Sequence, residues 1–294
     1  MEGSAIDRVR AVKRVLIVIL LLNWMVAAAK AVVAYLSNSL SVQADAYHSL
    51  LDGSSNIVGL IAVTLAAADA DKEHPYGHRK FEVLGAMVIG VLLALAAYDI
   101  VRESVVRLRE RTVPTPDAAT FGVMGVTIVV NVFITLYERR RGRELNSEVL
   151  LADSAHTRTD VAASLAVIAA LIFGRCNMPV ADVIVSIGIG GLIAWAAWGI
   201  ASRGAGVLAD RSVLDPEEVE RIAKKVVGVR HCHEVRTRGT QDAIFADLRI
   251  HVDGALPLEQ AHDLGHRVEA ELKAAFPGLR DVVIHIEPDD EKHT

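Results

Sequence analysis

Cysteine is nearly absent from this chain: of 294 residues only Cys176 and Cys232 carry a thiol, in no CxxC or other paired spacing. That argues against a disulfide framework and against a thiolate metal site, and suits a globular part facing a reducing cytosol. Aromatic residues are 5% of the chain, the net charge is only -5, and no long basic run interleaves with aromatics, so nucleic-acid binding is set aside. No HExxH motif and no evident nucleophile occur, which counts against a hydrolytic metalloenzyme.

Apolar residues are abundant instead. They make up 52% of the chain, with a mean hydropathy of +0.35, too apolar for an ordinary soluble protein and too charged for one embedded throughout. Apolar runs lie near 15–36, 40–68, 81–108, 118–137, 149–173 and 180–202. Each is about 20 residues or more, enough to cross a bilayer as a helix. The first follows Arg8, Arg10, Lys13 and Arg14 and has no clear cleavage site, so with the later runs it reads as a span rather than a signal-like anchor. Six spans put both termini on one side. Arg139, Arg140, Arg141 and Arg143 fall on the side of the basic N-terminus, which identifies it as the cytosol, whereas Arg102, Arg107, Arg109 and Arg111 run against that assignment.

Beyond residue 202 the long apolar runs stop, dividing the chain into a helical membrane domain, 1–209, and a soluble domain, 210–294. Asp215, Pro216 and Glu218 form a helix start, with the helix expected to reach about Val227. Strands are expected at 232–240, 243–253 and 281–287; in the second, Ala246, Leu248, Ile250 and Val252 alternate with Asp247, Arg249, His251 and Asp253. Leu258, Ala261, Leu264, Val268, Leu272 and Ala275 follow helical spacing. The order αββαβ predicts a small α+β domain with its helices over one face of a sheet.

Two of the apolar runs contain the same polar phrase, Ala-Asp-x-x-His-x-x-x-Asp, at 44–52 and 152–160. Residues four apart share a helix face, so His48 with Asp52 and His156 with Asp160 form two matching pairs. Ionisable groups inside a membrane are costly and mark ion pathways, although a pair bracing two helices is the alternative. Two imidazoles and two carboxylates suit tetrahedral Zn(II) and tolerate Co(II), Cd(II) or Fe(II); with no thiolate or thioether, Cu(I) is set aside. Asp45 and Asp153, three residues before each His, are candidates to hydrogen-bond an imidazole from outside the ligand set. Arg158 points to a different face, to line a cavity or to snorkel, and Lys30, seven residues beyond Asn23, is expected to snorkel. The connector after the second run places Asp71, His74 and His78 in a loop where three side chains can converge on a second metal; a polar connector with two unrelated histidines is the alternative.

The paired phrases, the six spans, the His-Pro-Tyr-Gly-His loop and the αββαβ tail together resemble the cation diffusion facilitator family, and the likeness covers nearly the whole chain. The resemblance implies a homodimeric exporter of divalent metal in exchange for protons, with a metallochaperone-like cytosolic tail and a transport site between the second and fifth spans. It implies a cell-membrane protein with both termini in the cytosol, no resident cofactor, and zinc as cargo and as a regulatory ion of the tail. The HxxxD form at His48 resembles that of zinc-preferring members, with Fe(II), Co(II), Cd(II) and Mn(II) the alternatives. A membrane metal receptor that binds without transporting is a further one. By the same resemblance Asp71, His74 and His78 form an interfacial site, and His233, His262, His285 and Glu287 a cytosolic one. Where zinc-binding relatives carry a strand histidine this chain has Arg249, so His251, two residues on and on the same face, is the expected substitute. His231 and Cys232 lie nearby without a firm assignment, and His266 reads as a solvated residue.

Release would follow from proton competition. A ligating imidazole must be neutral, and its ordinary pKa of about 6.5 lets a more acidic exterior displace the metal.

Overall fold

The computed structural model describes residues 2–37, 40–110, 118–175 and 179–289. The side chains of Asp45, His48 and Asp52 lie outside the described residues. The chain forms two compact units, Met1–Gly204 and Ala205–Thr294.

Six long helices are described in the first unit: α1 (Glu2–Ser37), α2 (Leu40–Ala66), α3 (Lys80–Glu110), α4 (Ala118–Glu144), α5 (Glu148–Arg175) and α6 (Pro179–Leu208). Each coincides with an apolar run, and all but α2, which ends at Ala66, extend past it, because the basic and acidic flanks also favour helix. Two of them, over Asp7–Val32 and Lys80–Val106, are long and apolar enough to cross a membrane on the described residues alone. Val12, Leu16 and Ile19 of α1, Ile89 and Leu93 of α3, Ile134 of α4, Leu150 of α5 and Ile200 of α6 form one buried cluster. Trp24, Phe133, Leu136, Trp195 and Trp198 instead point outward, an apolar exterior that water would not tolerate over a contiguous area and lipid would. Close helix approach needs small residues: a Cβ on Gly85 of α3 would stand 2.2 Å from the Cβ of Ala62 on α2.

A tight turn joins α4 to α5. Asn146, at φ 47, takes the left-handed conformation that ends α4, with Ser147 N–H bonded back to Gly142 O at 2.9 Å. Ser147 then opens α5, its hydroxyl accepting the Leu150 N–H at 3.4 Å. The same hydroxyl donates to Glu82 at the start of α3, and Arg8 of α1 donates to Glu82 at 3.2 Å and to Leu145 O at 2.7 Å. One buried carboxylate thereby ties α1 and α3 to the α4–α5 turn.

The second unit holds α7 (Pro216–Ala223), β1 (His231–Thr240), β2 (Ala243–Val252), α8 (Leu258–Ala275) and β3 (Leu279–Pro288). Asp215 caps α7 by accepting from Glu217 N–H at 3.1 Å. The helix ends at Ala223, short of the expected Val227, because the chain tightens into turns before Gly228 at φ +107. The sheet order is β1-β2-β3, with β1 and β2 antiparallel and β2 and β3 parallel through the α8 crossover. Leu248, Ile250 and Val252 pack with Val219 and Ala223 of α7 and Leu264, Val268 and Leu272 of α8. The other sheet face keeps its polar side chains, which is where alternation along β2 placed Arg249 and His251.

Cys232 belongs to the buried face, and desolvation pushes its thiol up to about 11. Roughly a thousandth of it is thiolate at pH 8, and thiolate is the reactive form. Alkylation at that pH followed by mass mapping should leave Cys232 unmodified until denaturant opens the domain; rapid labelling of the folded chain would contradict this packing.

Candidate metal centres

On α5 the whole of the repeated phrase is described, and His156 and Asp160 are both partly buried. Among the described residues the buried His156 Nδ1 has no hydrogen-bond partner. Asp153 does not serve that imidazole. Its carboxylate, fully buried, accepts from Ser55 Oγ at 2.7 Å and from Asn56 Nδ2, both on α2. Asn56 in turn accepts from Asn23 Nδ2 of α1 at 3.0 Å. Asp153 is therefore a strut that holds α5 to α2 one turn below His156, and the expected imidazole contact gives way because α2 presents two donors within reach. The strut fixes α5 against α2 one turn from His156.

Glu138 on α4 is a further buried carboxyl that sequence reading did not single out. It accepts from Thr157 Oγ1 at 3.2 Å, the residue after His156. It stands next to the Arg139–Arg143 cluster in sequence, and its packing against α5 is what buries it. Lys30 is 4% exposed, so it packs inward instead of snorkelling: α1 continues to Ser37 and leaves it well within the helix. Arg158 is exposed.

The α2–α3 connector brings Asp71, His74 and His78 together, one ligand atom of each lying within 4.8 Å of the others. Asp71 Oδ1 is 3.3 Å from His74 Nδ1 and Oδ2 is 3.4 Å from His78 Nε2. Tetrahedral zinc ligands at 2.0–2.1 Å from the ion stand about 3.3 Å apart, so each His–Asp71 contact, through its own carboxylate oxygen, is close to such an edge. Gly77, at φ +81, turns the chain so that His78 returns beneath His74, and Gly77 N–H bonds to His74 O at 2.9 Å. His78 Nδ1 is 3.0 Å from Asp69 O. A carbonyl only accepts, so Nδ1 carries the hydrogen and Nε2 presents its lone pair toward Asp71. The Phe81 ring backs both imidazoles, with ring centres 5.7 Å from His74 and 5.6 Å from His78. The His74 backbone amide holds the Asp71 carboxyl below the usual carboxylate range, against an opposing push from desolvation.

In the second unit the polar sheet face gathers His233, His251 and Glu287 within 4.8 Å. Parallel register sets His251 opposite Glu287, and antiparallel register sets His233 opposite Arg249. The two imidazole Nε2 atoms are 2.8 Å apart, and Glu287 Oε2 is 3.4 Å from His251. Arg249 is neutralised rather than repelling: its Nη1 donates to Glu287 Oε1 at 2.8 Å and its Nε lies 2.9 Å from Glu234 Oε2. A bulge between His233 and Arg236, with Glu234 at φ 51, aims Glu234 there. Desolvation pushes the Glu287 carboxyl up, but the Arg249 guanidinium and flanking imidazoles outweigh it, leaving it below the usual range. His285 stands 3.6 Å from the oxygen that Arg249 holds. His262 is not in this group; it sits on α8 against His266. Cys232 faces the core and His231 is exposed at the strand edge.

A family model described as the cation efflux transmembrane domain matches residues 16–209. This chain belongs to the cation efflux family. A second model, the cation efflux protein cytoplasmic domain, matches residues 214–289, so this cation efflux protein carries both parts of a cation diffusion facilitator. It is a membrane transporter of divalent metal cations, not an enzyme. An uncharacterized transporter from Methanocaldococcus jannaschii is 29% identical over 95% of this chain and 99% of its own. The cation-efflux pump FieF of Pectobacterium carotovorum is 29% identical over 86% of this cation efflux protein and 84% of the pump. Among solved structures, a MamM CTD in a nickel form is similar over 25% of this chain and 94% of its own, with 26% identity and a TM-score of 0.24.

Proposed function

We propose that this cation efflux protein exports Zn(II) from the cytosol in exchange for protons, as a homodimer with six membrane spans and both termini cytosolic. The observation that carries the reading is His156. A buried polar atom left without a partner costs about 1–3 kcal/mol, so an unpartnered Nδ1 one turn from Asp160 is retained for a ligand that comes and goes. His156 and Asp160 supply half of the transport site, and His48 and Asp52, by the matching phrase on α2, supply the rest. Two imidazoles favour zinc over Mn(II), whose preferred ligands are oxygens. Metal entry displaces protons from the histidines, and reprotonation on the acidic side releases it.

Asp71, His74 and His78 offer the ion an interfacial site with an open fourth position, suited to exchange. His233, His251 and Glu287 form a regulatory zinc site in the tail, with His285 beside it. Arg249 occupies one Glu287 oxygen, which leaves a single metal position there.

The test is flux in proteoliposomes carrying an internal zinc dye under an imposed pH gradient. Zinc uptake should rise with the gradient and be inhibited least by Mn(II) among competing Fe(II), Co(II), Cd(II) and Mn(II). Flux indifferent to the gradient would remove proton exchange, and a preferred Fe(II) or Mn(II) current would replace zinc as the cargo.

A further inference from the structure

Glu138 and Asp153 bring two fully buried carboxyl groups into contact at the seam of α4 and α5. Asp153 is well supplied with donors, Ser55 Oγ and Asn56 Nδ2 of α2. Glu138 is not. Thr157 Oγ1 lies 3.2 Å from its Oε2 but equally 3.2 Å from the Asp153 backbone carbonyl, so one hydroxyl hydrogen faces two acceptors. The other oxygen, Oε1, is buried without a hydrogen-bond partner among the described residues. The arginines next to Glu138 in sequence turn elsewhere: Arg140 and Arg141 pair with Glu144, and Arg139 and Arg143 are exposed. The charges that act most strongly on Glu138 are both carboxylates of α5, Asp153 in contact and Asp160 through space.

Carboxylates only accept, so contact between two of them becomes a hydrogen bond only when one carries a hydrogen. With both ionised, the pair would add like-charge repulsion to the cost of burying each ion. A single proton relieves both. It belongs on Glu138, because Asp153 already accepts from two donors whereas Glu138 Oε1 has none. Glu138 then donates to Asp153 and extends to α4 the chain that runs from Asn23 of α1 through Asn56 of α2 to Asp153.

We infer that Glu138 is a proton-binding site of the transport cycle, holding one proton against Asp153 in the metal-free protein and releasing it to water when a divalent cation occupies His156 and Asp160. This rests on the transport site proposed above. Asp160 acts on Glu138 through space, so a divalent ion beside Asp160 acts on it with the opposite sign and favours its anion. The ionised Glu138 then offsets part of the cargo's charge without ligating it, and its proton adds to those the two histidines give up. The surroundings suit a group that changes charge. Three residues before Glu138, Thr135 Oγ1 is also buried without a partner among the described residues, and Asn131 is buried four residues before that. These spacings place all three on one face of α4, which supplies polar groups over two turns to solvate the anion.

Zinc added to the metal-stripped full chain in detergent, weakly buffered with a pH-indicator dye, reads the protons released, while equilibrium dialysis counts the ions bound. Glu138→Gln keeps the shape of the protonated acid and a donor for Asp153. It should melt with the parent, bind the parental number of zinc ions and release about one proton fewer per chain. Difference infrared spectra read the same event in the unsubstituted chain: zinc should bleach the carbonyl band of a protonated carboxylic acid, and Glu138→Gln should lack that change. Parental proton release in Glu138→Gln at equal zinc, or no bleach in the parent, overturns the proton site and leaves the His156 and Asp160 reading standing. A zinc equivalent lost in Glu138→Gln overturns it as well, since the carboxylate would then be a ligand. Zinc count and proton release both unchanged in His156→Ala would overturn that reading and this inference together.

Discussion

Alanine in place of His156 is expected to cut zinc flux in proteoliposomes by at least about a hundredfold, beyond the loss that an outer-shell partner of a metal ligand typically causes. Asp160→Asn should do the same, because it removes a charge from the set while keeping its shape. Asp153→Asn is the informative contrast. Its carboxylate accepts from Ser55 and Asn56 on α2, so an amide there keeps one of the two acceptors and must turn its own NH2 toward the other partner. That variant should lower the melting temperature and reduce flux less than His156→Ala does. Parental flux in His156→Ala would falsify the transport assignment. Equal loss in the two variants, with Asp153→Asn still folded as well as the parent, would instead make Asp153 part of the ion path.

Glu82→Ala should destabilise the helical unit by about 3–5 kcal/mol, the usual cost of removing one member of a buried ion pair. Arg8 and Glu82 side chains are 12% and 6% exposed, so the guanidinium stranded by the substitution cannot recover full hydration. Arg8 keeps its bonds to Leu145 O and Asn146 O, and Ser147 loses its acceptor while still capping α5. Glu82→Gln retains an acceptor for Ser147 and should cost less. Thermal unfolding in detergent reads both, and a cycle with Arg8→Met isolates the coupling. A Glu82→Ala melt indistinguishable from the parent would show that the clamp is not what fixes α1 and α3 to the α4–α5 turn. The functional consequence lies close by: Glu82 follows Phe81, the ring that backs His74 and His78, so loosening the start of α3 should also weaken metal binding in the connector.

Much of this was legible along the chain because it depends on neighbours in sequence. Apolar length specified the helices, alternation specified the two faces of β2, and Asp215 with Pro216 specified the start of α7. The connector residues were legible for the same reason: Asp71, His74 and His78 meet through a turn at Gly77 that spans only a few residues. The α4–α5 turn was less so, since nothing in Asn146-Ser147 announces that the serine hydroxyl will reach Glu82.

The repeated phrase determines by itself that His156 and Asp160 share a face, since helical spacing is local. It cannot say which helix that face meets. Packing of α2 on α5 decided that Asp153 bonds Ser55, 98 residues away, rather than its own helix's histidine. Packing of α4 on α5 likewise buried Glu138. In the tail, composition placed Arg249 and His251 on one face, while strand register and the bulge before Arg236 decided that His251 joins His233 and that Glu234 neutralises Arg249. Spacing along an element is set by backbone geometry and is written in sequence; pairing between elements is set by how their surfaces fit, which only the folded chain resolves.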